Sequence, residues 1–247
     1  MLKLITAEIY RLLHRKTFFI YLILLAVAYL LIAFIRSGGF DENSILEDAL
    51  IFFNFLPPVV GGILFAAIYN DDLNAKNLIT LVGYGTSRTS IVLSRLLLMT
   101  LVSSIVFTLA PLMLFLTHAA LGWTATASNM STIYALAFKY LLLTLGYATI
   151  SGIVVYGTQR TTTAMVTFVL CSLNIIGGML SALLASLLGS ELASRISTHF
   201  MLGISNRAYY AISGDGSLLL PLAEFFIYLL IAVLVSIFAF RRKEMEF

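Results

Sequence analysis

The chain has 247 residues, of which 60% are hydrophobic and only 11% are charged, and its mean hydropathy is +1.00. A water-soluble domain of this length cannot bury that much apolar surface, so the composition predicts a single-domain, all-α, polytopic membrane protein. The net charge of +3 is small and the basic residues cluster at the ends of apolar segments, a distribution that gives no indication of a nucleic-acid partner.

The first 16 residues combine an apolar side with a charged side. Leu2 and Ile9 belong to the apolar side, and Lys3 and Arg11 belong to the charged side. This spacing predicts a helix that lies in the membrane interface with its basic face toward the lipid headgroups. The alternative, a secretory signal, is rejected because the apolar run that follows is too long and lacks a small-residue cleavage site.

Six apolar segments are each long enough to cross a hydrocarbon core of about 30 Å as a helix. The predicted spans are residues 17–35, 49–69, 91–117, 132–156, 163–188 and 218–240. The segment 190–215 is too polar to span a membrane. Its apolar residues recur at four-residue intervals, which predicts an amphipathic helix on the outer surface before the sixth span.

The basic residues predict the orientation of the spans. Of the 15 Lys and Arg residues, eleven lie on the side that carries both termini and segment 70–90, and four lie toward the other side. Because Lys and Arg are enriched in cytoplasmic flanks, both termini and segment 70–90 are predicted to be cytoplasmic in a plasma-membrane protein. Asp41 and Glu42 fall in the opposite, outer loop.

Residues 70–90, called the elbow below, form a polar segment in an otherwise apolar sequence. Asp71 or Asp72 is suited to cap the N-terminus of a short helix. Gly83 is suited to end that helix in a left-handed conformation, and Thr86 or Ser87 can cap the next one. The pattern predicts a helix–turn–helix that docks a partner. The alternative is a solvated loop.

Two spans contain residues that are unusual in a simple membrane helix. The second carries Asn54, Pro57, Pro58, Gly61 and Gly62. Prolines remove backbone donors, so this span is interpreted either as a broken helix that lines a pathway or as a kinked packing helix. In the fifth span, small residues at four-residue spacing allow close helix packing, within the chain or in a dimer. These residues are Gly177, Gly178, Ser181, Ala182 and Ala185.

Lys139 in the fourth predicted span and Glu224 in the sixth are ionisable residues that lie about two turns inside their spans from the outer end. Buried charges in membranes usually have partners or functions, so these two are candidates for a pair. The alternative is that Lys139 extends to the membrane interface. His14, His118 and His199 are scattered and are interpreted as ordinary interfacial histidines.

Several functional motifs are missing from the sequence. It contains no G-x-x-x-x-G-K-[ST] phosphate-binding loop and no G-x-S-x-G nucleophile motif. Its single cysteine, Cys171, excludes an internal disulfide and a multi-cysteine metal site. We therefore predict that the chain is not an enzyme and binds no metal or cofactor of its own.

The elbow resembles the coupling helix of permeases in the type-2 ATP-binding-cassette (ABC) exporter superfamily. The matching residues are Asp71-Asp72, Lys76-Asn77 and Gly85-Thr86-Ser87-Arg88. Two features depart from the family pattern: an Asp pair replaces the usual Glu, and the turn has an extra residue before Arg88. The order of elements along the whole chain, including the interfacial N-terminal helix and the outer segment, also resembles that family.

The resemblance implies the transmembrane half of an ATP-driven exporter. ATP and Mg would be bound by a separate cytoplasmic P-loop ATPase, and a second permease copy would complete a pathway lined largely by the second and fifth spans. The cargo would be hydrophobic or amphipathic, such as a peptide toxin or bacteriocin. Two alternatives remain: a non-transporting immunity or receptor protein that sequesters a peptide, and an intramembrane enzyme, which the missing catalytic groups disfavour.

Overall fold

The structure is a computed structural model that describes residues 6, 9–11, 14, 23, 27, 44–74, 82–120 and 126–242; for residues 44 and 70–74 it describes the backbone alone. Most of the first predicted span and most of the predicted interfacial helix lie outside these ranges, as do Lys76 and Asn77.

All regular elements in the described ranges are helical. In chain order they are α1 (Ser44–Leu56), a π-helical turn (Pro57–Gly61), α2 (Gly62–Asn74), α3 (Arg88–Ala120), α4 (Ala127–Thr158), α5 (Thr161–Ser172), α6 (Ile175–Leu188), α7 (Ser190–Ser197), α8 (Met201–Ile212) and α9 (Leu219–Arg242).

Four helical stretches in the described ranges are long and apolar enough to cross a membrane. They are Ile45–Tyr69, which joins α1, the π turn and part of α2, and the helices α3, α4 and α9. The pair α5 and α6 meets the same criterion together, although the two helices are bent by 64° at their junction. These stretches correspond to the second to sixth predicted spans, and the chain has the all-helical character of a membrane protein.

Helix α4 forms the centre of the bundle and packs against α1, α3, α5, α8 and α9. Its first turn is capped by Thr126, whose side chain accepts a hydrogen bond from the Asn129 amide at 3.3 Å. Its last turn ends at Gln159, which adopts a left-handed conformation with φ of 55°. Between these ends α4 has 32 residues, which corresponds to about 48 Å.

The two ends of the bundle are distinguished by the elements that meet there. The elbow end carries the start of α3 and the end of α9, because Arg88 contacts the backbone of Phe240 and Arg241. The end of α4 lies there too, since the Tyr156 ring is 5.0 Å from the Phe240 ring. The opposite end, called the far end below, carries the turn between α8 and α9 at residues 213–218.

Two predicted elements differ in detail from the structure. The fifth span is not one straight helix, because Asn174 takes a left-handed conformation with φ of 57° and separates α5 from α6. The outer segment is not a single amphipathic helix, because Thr198 to Phe200 divides it into α7 and α8. Of these two, α8 packs against α4 and α9, so it belongs to the bundle.

Candidate functional site

The elbow turn is built by Val82, Tyr84, Gly85 and Ser87. The Gly85 amide donates to the Val82 carbonyl at 2.9 Å, and the φ of Gly85 is +80°, a conformation that favours glycine. The predicted left-handed residue was Gly83, and the structure assigns that conformation to Gly85. Ser87 is the predicted cap of the following helix, and its hydroxyl oxygen accepts from the Ser90 amide at 3.2 Å.

Asp71 and Asp72 do not stand at a helix N-terminus. The backbone of both residues continues α2, which runs to Asn74. No glycine or proline interrupts residues 63–74, so the helix of the second span extends beyond its apolar part. The predicted N-terminal cap at these aspartates is therefore wrong, whereas their role toward a partner stays a prediction.

Tyr84 is the most exposed large hydrophobic side chain of the described ranges, with 86% of its surface accessible. It lies at the tip of the turn between Gly83 and Gly85. An aromatic ring held at a tight turn and open to its surroundings is typical of residues that anchor protein–protein contacts. Tyr84 is not among the predicted site residues, although an aromatic residue in a polar turn is a recognisable signal.

The Arg88 guanidinium forms hydrogen bonds within the chain. One of its terminal nitrogens, Nη1, donates to the Phe240 carbonyl at 2.6 Å and to the Arg241 carbonyl at 3.0 Å. The guanidinium also lies 5.4 Å from the centre of the Phe240 ring. In return, Arg241 donates to the Thr89 hydroxyl at 3.1 Å. Arg88 therefore satisfies carbonyl groups at the end of α9 and fixes the elbow to that helix.

The break in the second span packs directly against the fifth. Prolines 57 and 58 cannot donate backbone hydrogen bonds, and the helix passes through one π turn at Pro57–Gly61. A Cβ atom on Gly61 would stand 2.6 Å from the Phe168 ring of α5, whereas Gly62 has open space around it. Gly61 therefore serves close helix packing, and Pro57 is also buried.

Asn54 is the polar residue of this span that remains accessible. Its side-chain oxygen accepts a hydrogen bond from the Tyr140 hydroxyl of α4. Asn54 is exposed, and the neighbouring apolar residues Leu50 and Phe55 are exposed as well. An amide group on an apolar, accessible helix face suits a surface that lines a pathway or faces another molecule.

The small residues of the fifth span do not pack tightly within the described ranges. Helix α6 has no buried residue. The space beside Gly177 is filled by the side chain of Asn174, the residue that precedes the first turn of α6. A Cβ atom on Gly178 would meet nothing within 4 Å. Ser181 donates to the Gly177 carbonyl at 2.9 Å, Ala182 is exposed and Ala185 is half-buried. A contact of this stripe with a second molecule stays a prediction.

A small, mostly apolar cavity of about 140 Å³ opens beside the bend of the fifth span. Its lining includes Tyr147 of α4, Cys171 and Asn174 at the bend, His199, and Tyr228 of α9. A cavity of that size holds one small apolar group. The left-handed turn at Asn174 therefore creates free volume next to the central helix.

The predicted pair between Lys139 and Glu224 is not formed. Glu224 instead accepts from both terminal nitrogens of Arg207 on α8, with Nη1 at 3.1 Å from Oε1. The Nδ1 atom of His199 lies 3.3 Å from the same carboxylate. Arg207 is close because α8 packs on α9, an arrangement that the spacing of the sequence does not reveal. The Lys139 ammonium lies 5.1 Å from the Tyr140 ring centre and 5.8 Å from that of Tyr209.

The histidines have more specific surroundings than the sequence predicts. His118 is buried, with Nε2 at 3.7 Å from the Asp48 carboxylate and Nδ1 at 2.9 Å from the Leu114 carbonyl. It is therefore not an ordinary interfacial histidine. His14 stacks on Tyr10 with ring centres 3.9 Å apart. Within the described ranges, no group of three His, Cys, Asp or Glu side chains is arranged to hold a metal ion.

Comparison with protein-family models gives no match, and comparison with curated protein sequences gives none either.

Proposed function

We propose that this chain is the transmembrane half of an ATP-driven exporter of the type-2 ABC kind. In this proposal both termini and the elbow are cytoplasmic, and a separate P-loop ATPase binds ATP and Mg and docks at the elbow. The chain moves a hydrophobic or amphipathic substrate, such as a peptide, out of the cell. A second copy of the chain completes the pathway.

The observation that carries the proposal is the construction of residues 82–90, the second half of the elbow. Its tip presents the accessible Tyr84 ring, and its base is fixed to α9 by Arg88 and Arg241. A partner that binds the Tyr84 ring would therefore contact a turn that is hydrogen-bonded to α9. Movement of the elbow would be passed to α3, which begins there, and to α9, which is bound to it.

The contact between the second and fifth spans also supports the proposal. The π turn of the second span and helix α5 meet at Gly61 and Phe168. Both spans are interrupted, one at Pro57 and the other at Asn174. Interrupted helices that touch each other can change their relative position with less disruption than two continuous helices, which suits a pathway that opens and closes.

The character of the exposed helices supports an apolar cargo and a second copy. Helix α6 is apolar and accessible, and its small residues Gly178 and Ala182 are open. A helix with this pattern can approach another helix closely. Two copies that meet here would enclose a route whose walls are mostly hydrophobic, which matches a hydrophobic or amphipathic substrate.

Co-purification tests the docking of an ATPase. We expect the tagged chain, isolated from its native host in mild detergent, to bring down a P-loop ATPase in stoichiometric amount. Tyr84→Ala should lower the recovery of that ATPase about tenfold or more, because a tyrosine anchor contributes on the order of 2 kcal/mol. Its matched control is Tyr210→Ala, which removes an accessible tyrosine from α8.

Each outcome of this experiment has a clear consequence. A loss of the ATPase in Tyr84→Ala but not in Tyr210→Ala supports docking at the elbow. Equal recovery in both variants contradicts the elbow as the docking site. If the wild-type chain brings down no ATPase, the exporter proposal fails, and a non-transporting peptide-binding protein becomes the better explanation.

A further inference from the structure

Lys139 places a cation well inside a membrane-spanning helix. It is the thirteenth residue of α4, so it lies about 18 Å along the helix from Ala127 and about 28 Å from Thr158. If the 48 Å helix extends equally beyond both edges of a 30 Å hydrocarbon core, the Lys139 backbone lies about 9 Å below the nearer edge. A cation at that depth needs compensation from its surroundings.

The compensation within the described ranges comes from aromatic rings alone. The ammonium lies near the rings of Tyr140 and Tyr209, at 5.1 and 5.8 Å from their centres. No carboxylate of the described ranges forms an ion pair with it, and Glu224 pairs with Arg207 and His199 instead. Cation–π contacts stabilise a lysine by less than the cost of placing a cation in the hydrocarbon core.

A second hydrogen-bond donor, the Asn54 amide, lies beside the Tyr140 hydroxyl. The Tyr140 hydroxyl donates to the Asn54 oxygen, so the Asn54 Nδ2 group keeps its two N–H donors for another partner. Asn54 is accessible and has the exposed apolar residues Leu50, Ile51 and Phe55 around it on α1. Tyr140 therefore contacts the Lys139 ammonium through its ring and the Asn54 amide through its hydroxyl, and the Asn54 side borders the apolar strip.

We propose that Lys139 and Asn54 bind the anionic group of an amphiphile that approaches from the bilayer. A carboxylate or phosphate would neutralise the ammonium through a charge-assisted hydrogen bond, and the Asn54 amide would donate to the same group. The apolar tail would lie along the strip of Leu50, Ile51 and Phe55. As a statement about the cargo, this inference rests on the proposed function, and it then adds that the cargo carries an anionic group.

Photocrosslinking to the purified chain tests the site without any ATPase. The probe is a fatty acid with a diazirine in its tail, and its neutral comparison is the methyl ester of the same molecule. In a neutral detergent, we expect the carboxylate probe to label peptides from α1 and α4 about tenfold more strongly than the ester does. In Lys139→Gln this preference should disappear, whereas Lys139→Arg should retain most of it.

The control variant is Arg195→Gln, which removes an arginine from α7 that is 74% exposed and pairs with Glu191. It should label as the wild-type protein does. Competition with dodecanoate or with phosphatidylglycerol then identifies a carboxylate or a phosphate as the preferred anion, and phosphatidylcholine should not compete. Equal labelling by acid and ester, or unchanged labelling in Lys139→Gln, overturns the inference. That failure leaves the ATPase co-purification result intact, so the two proposals fail separately.

Discussion

Arg88 connects the first turn of α3 with the last turn of α9, although Phe240 lies 152 residues further along the chain. Both backbone carbonyls that it contacts belong to the end of a helix, where intrahelical partners are missing. The contact matters for interpretation, because a charge reversal at Arg88 would disturb the bundle as well as any docking surface. Tyr84, which points away from the bundle, separates the two effects.

We predict that Arg88→Ala destabilises the bundle by about 1–2 kcal/mol, since two hydrogen bonds to carbonyl groups and the favourable charge at a helix C-terminus are lost together. Arg88→Lys should cost less, because an ammonium retains the charge but cannot keep the planar fork. The midpoint of thermal unfolding in detergent measures the effect. Arg160→Ala, which removes an exposed arginine between α4 and α5, is the control. Equal midpoints for Arg88→Ala and Arg160→Ala would contradict the bracing role.

The sequence could not reveal the role of Arg88, because the decisive contact is with a backbone distant in the chain. It did reveal the turn itself, since Gly85 and Ser87 act through interactions with residues at most three positions away. The same distinction applies to Lys139 and Glu224. The depth of these residues in their spans follows from counting, whereas their partners follow from how α4, α8 and α9 pack.

At the scale of single elements, the two glycines after the proline pair provide a matched test. Gly61 and Gly62 are adjacent, yet only Gly61 faces a neighbouring helix closely. A methyl group at position 61 would meet the Phe168 ring at 2.6 Å and a Thr144 methyl at 3.0 Å. Phe168 is fully buried and its ring is rigid, so it cannot move aside without displacing its neighbours.

We therefore predict that Gly61→Ala destabilises the protein by about 1–3 kcal/mol through overpacking. Gly62→Ala should be neutral or slightly stabilising, because alanine favours a helix and the space is open. Unfolding of both variants in the same detergent gives the comparison. A similar cost for the two substitutions would show that the second and fifth spans do not meet at Gly61.

The bend of the fifth span is a feature that the sequence did not predict. Residues 163–188 are predicted as one span, and no proline or glycine lies at the actual break. The available signal was Asn174, since asparagine adopts the left-handed conformation more readily than other residues that carry a Cβ atom. In the second span the signal was stronger, because Pro57 and Pro58 remove donors whatever the surrounding structure is.

At the scale of the whole molecule, length and composition determined most of what could be predicted. Apolar runs identify the helices that correspond to the second to sixth spans, because each must satisfy its backbone internally in lipid. The arrangement of those helices around α4 could not be predicted, because most residues in them are hydrophobic. A largely apolar helix does not show which face is buried in the protein and which faces lipid.

The orientation of the chain in the membrane decides whether an ATPase can reach the elbow. Among the described residues, Arg88, Arg160, Arg241 and Arg242 lie at or beside the elbow end, whereas Arg195 and Arg207 belong to α7 and α8, which lead to the far-end turn. Because cytoplasmic flanks are enriched in arginine and lysine, the elbow end should face the cytoplasm. We test this in a Cys171→Ala background with one new cysteine at a time, at Tyr84 in the elbow or at Asp215 in the far-end turn.

In intact cells, an impermeant maleimide should label Asp215→Cys, and it should label Tyr84→Cys only after the membrane is permeabilised. Both positions are exposed, so a difference in labelling reports the side of the membrane rather than burial. Removal of Cys171 is needed because it is the only native thiol, and alanine is a mild replacement because it lacks only the sulfur atom. Labelling of Tyr84→Cys in intact cells, with Asp215→Cys protected, would place the elbow outside the cell. No cytoplasmic ATPase could then dock there, and the exporter proposal would fall together with the orientation.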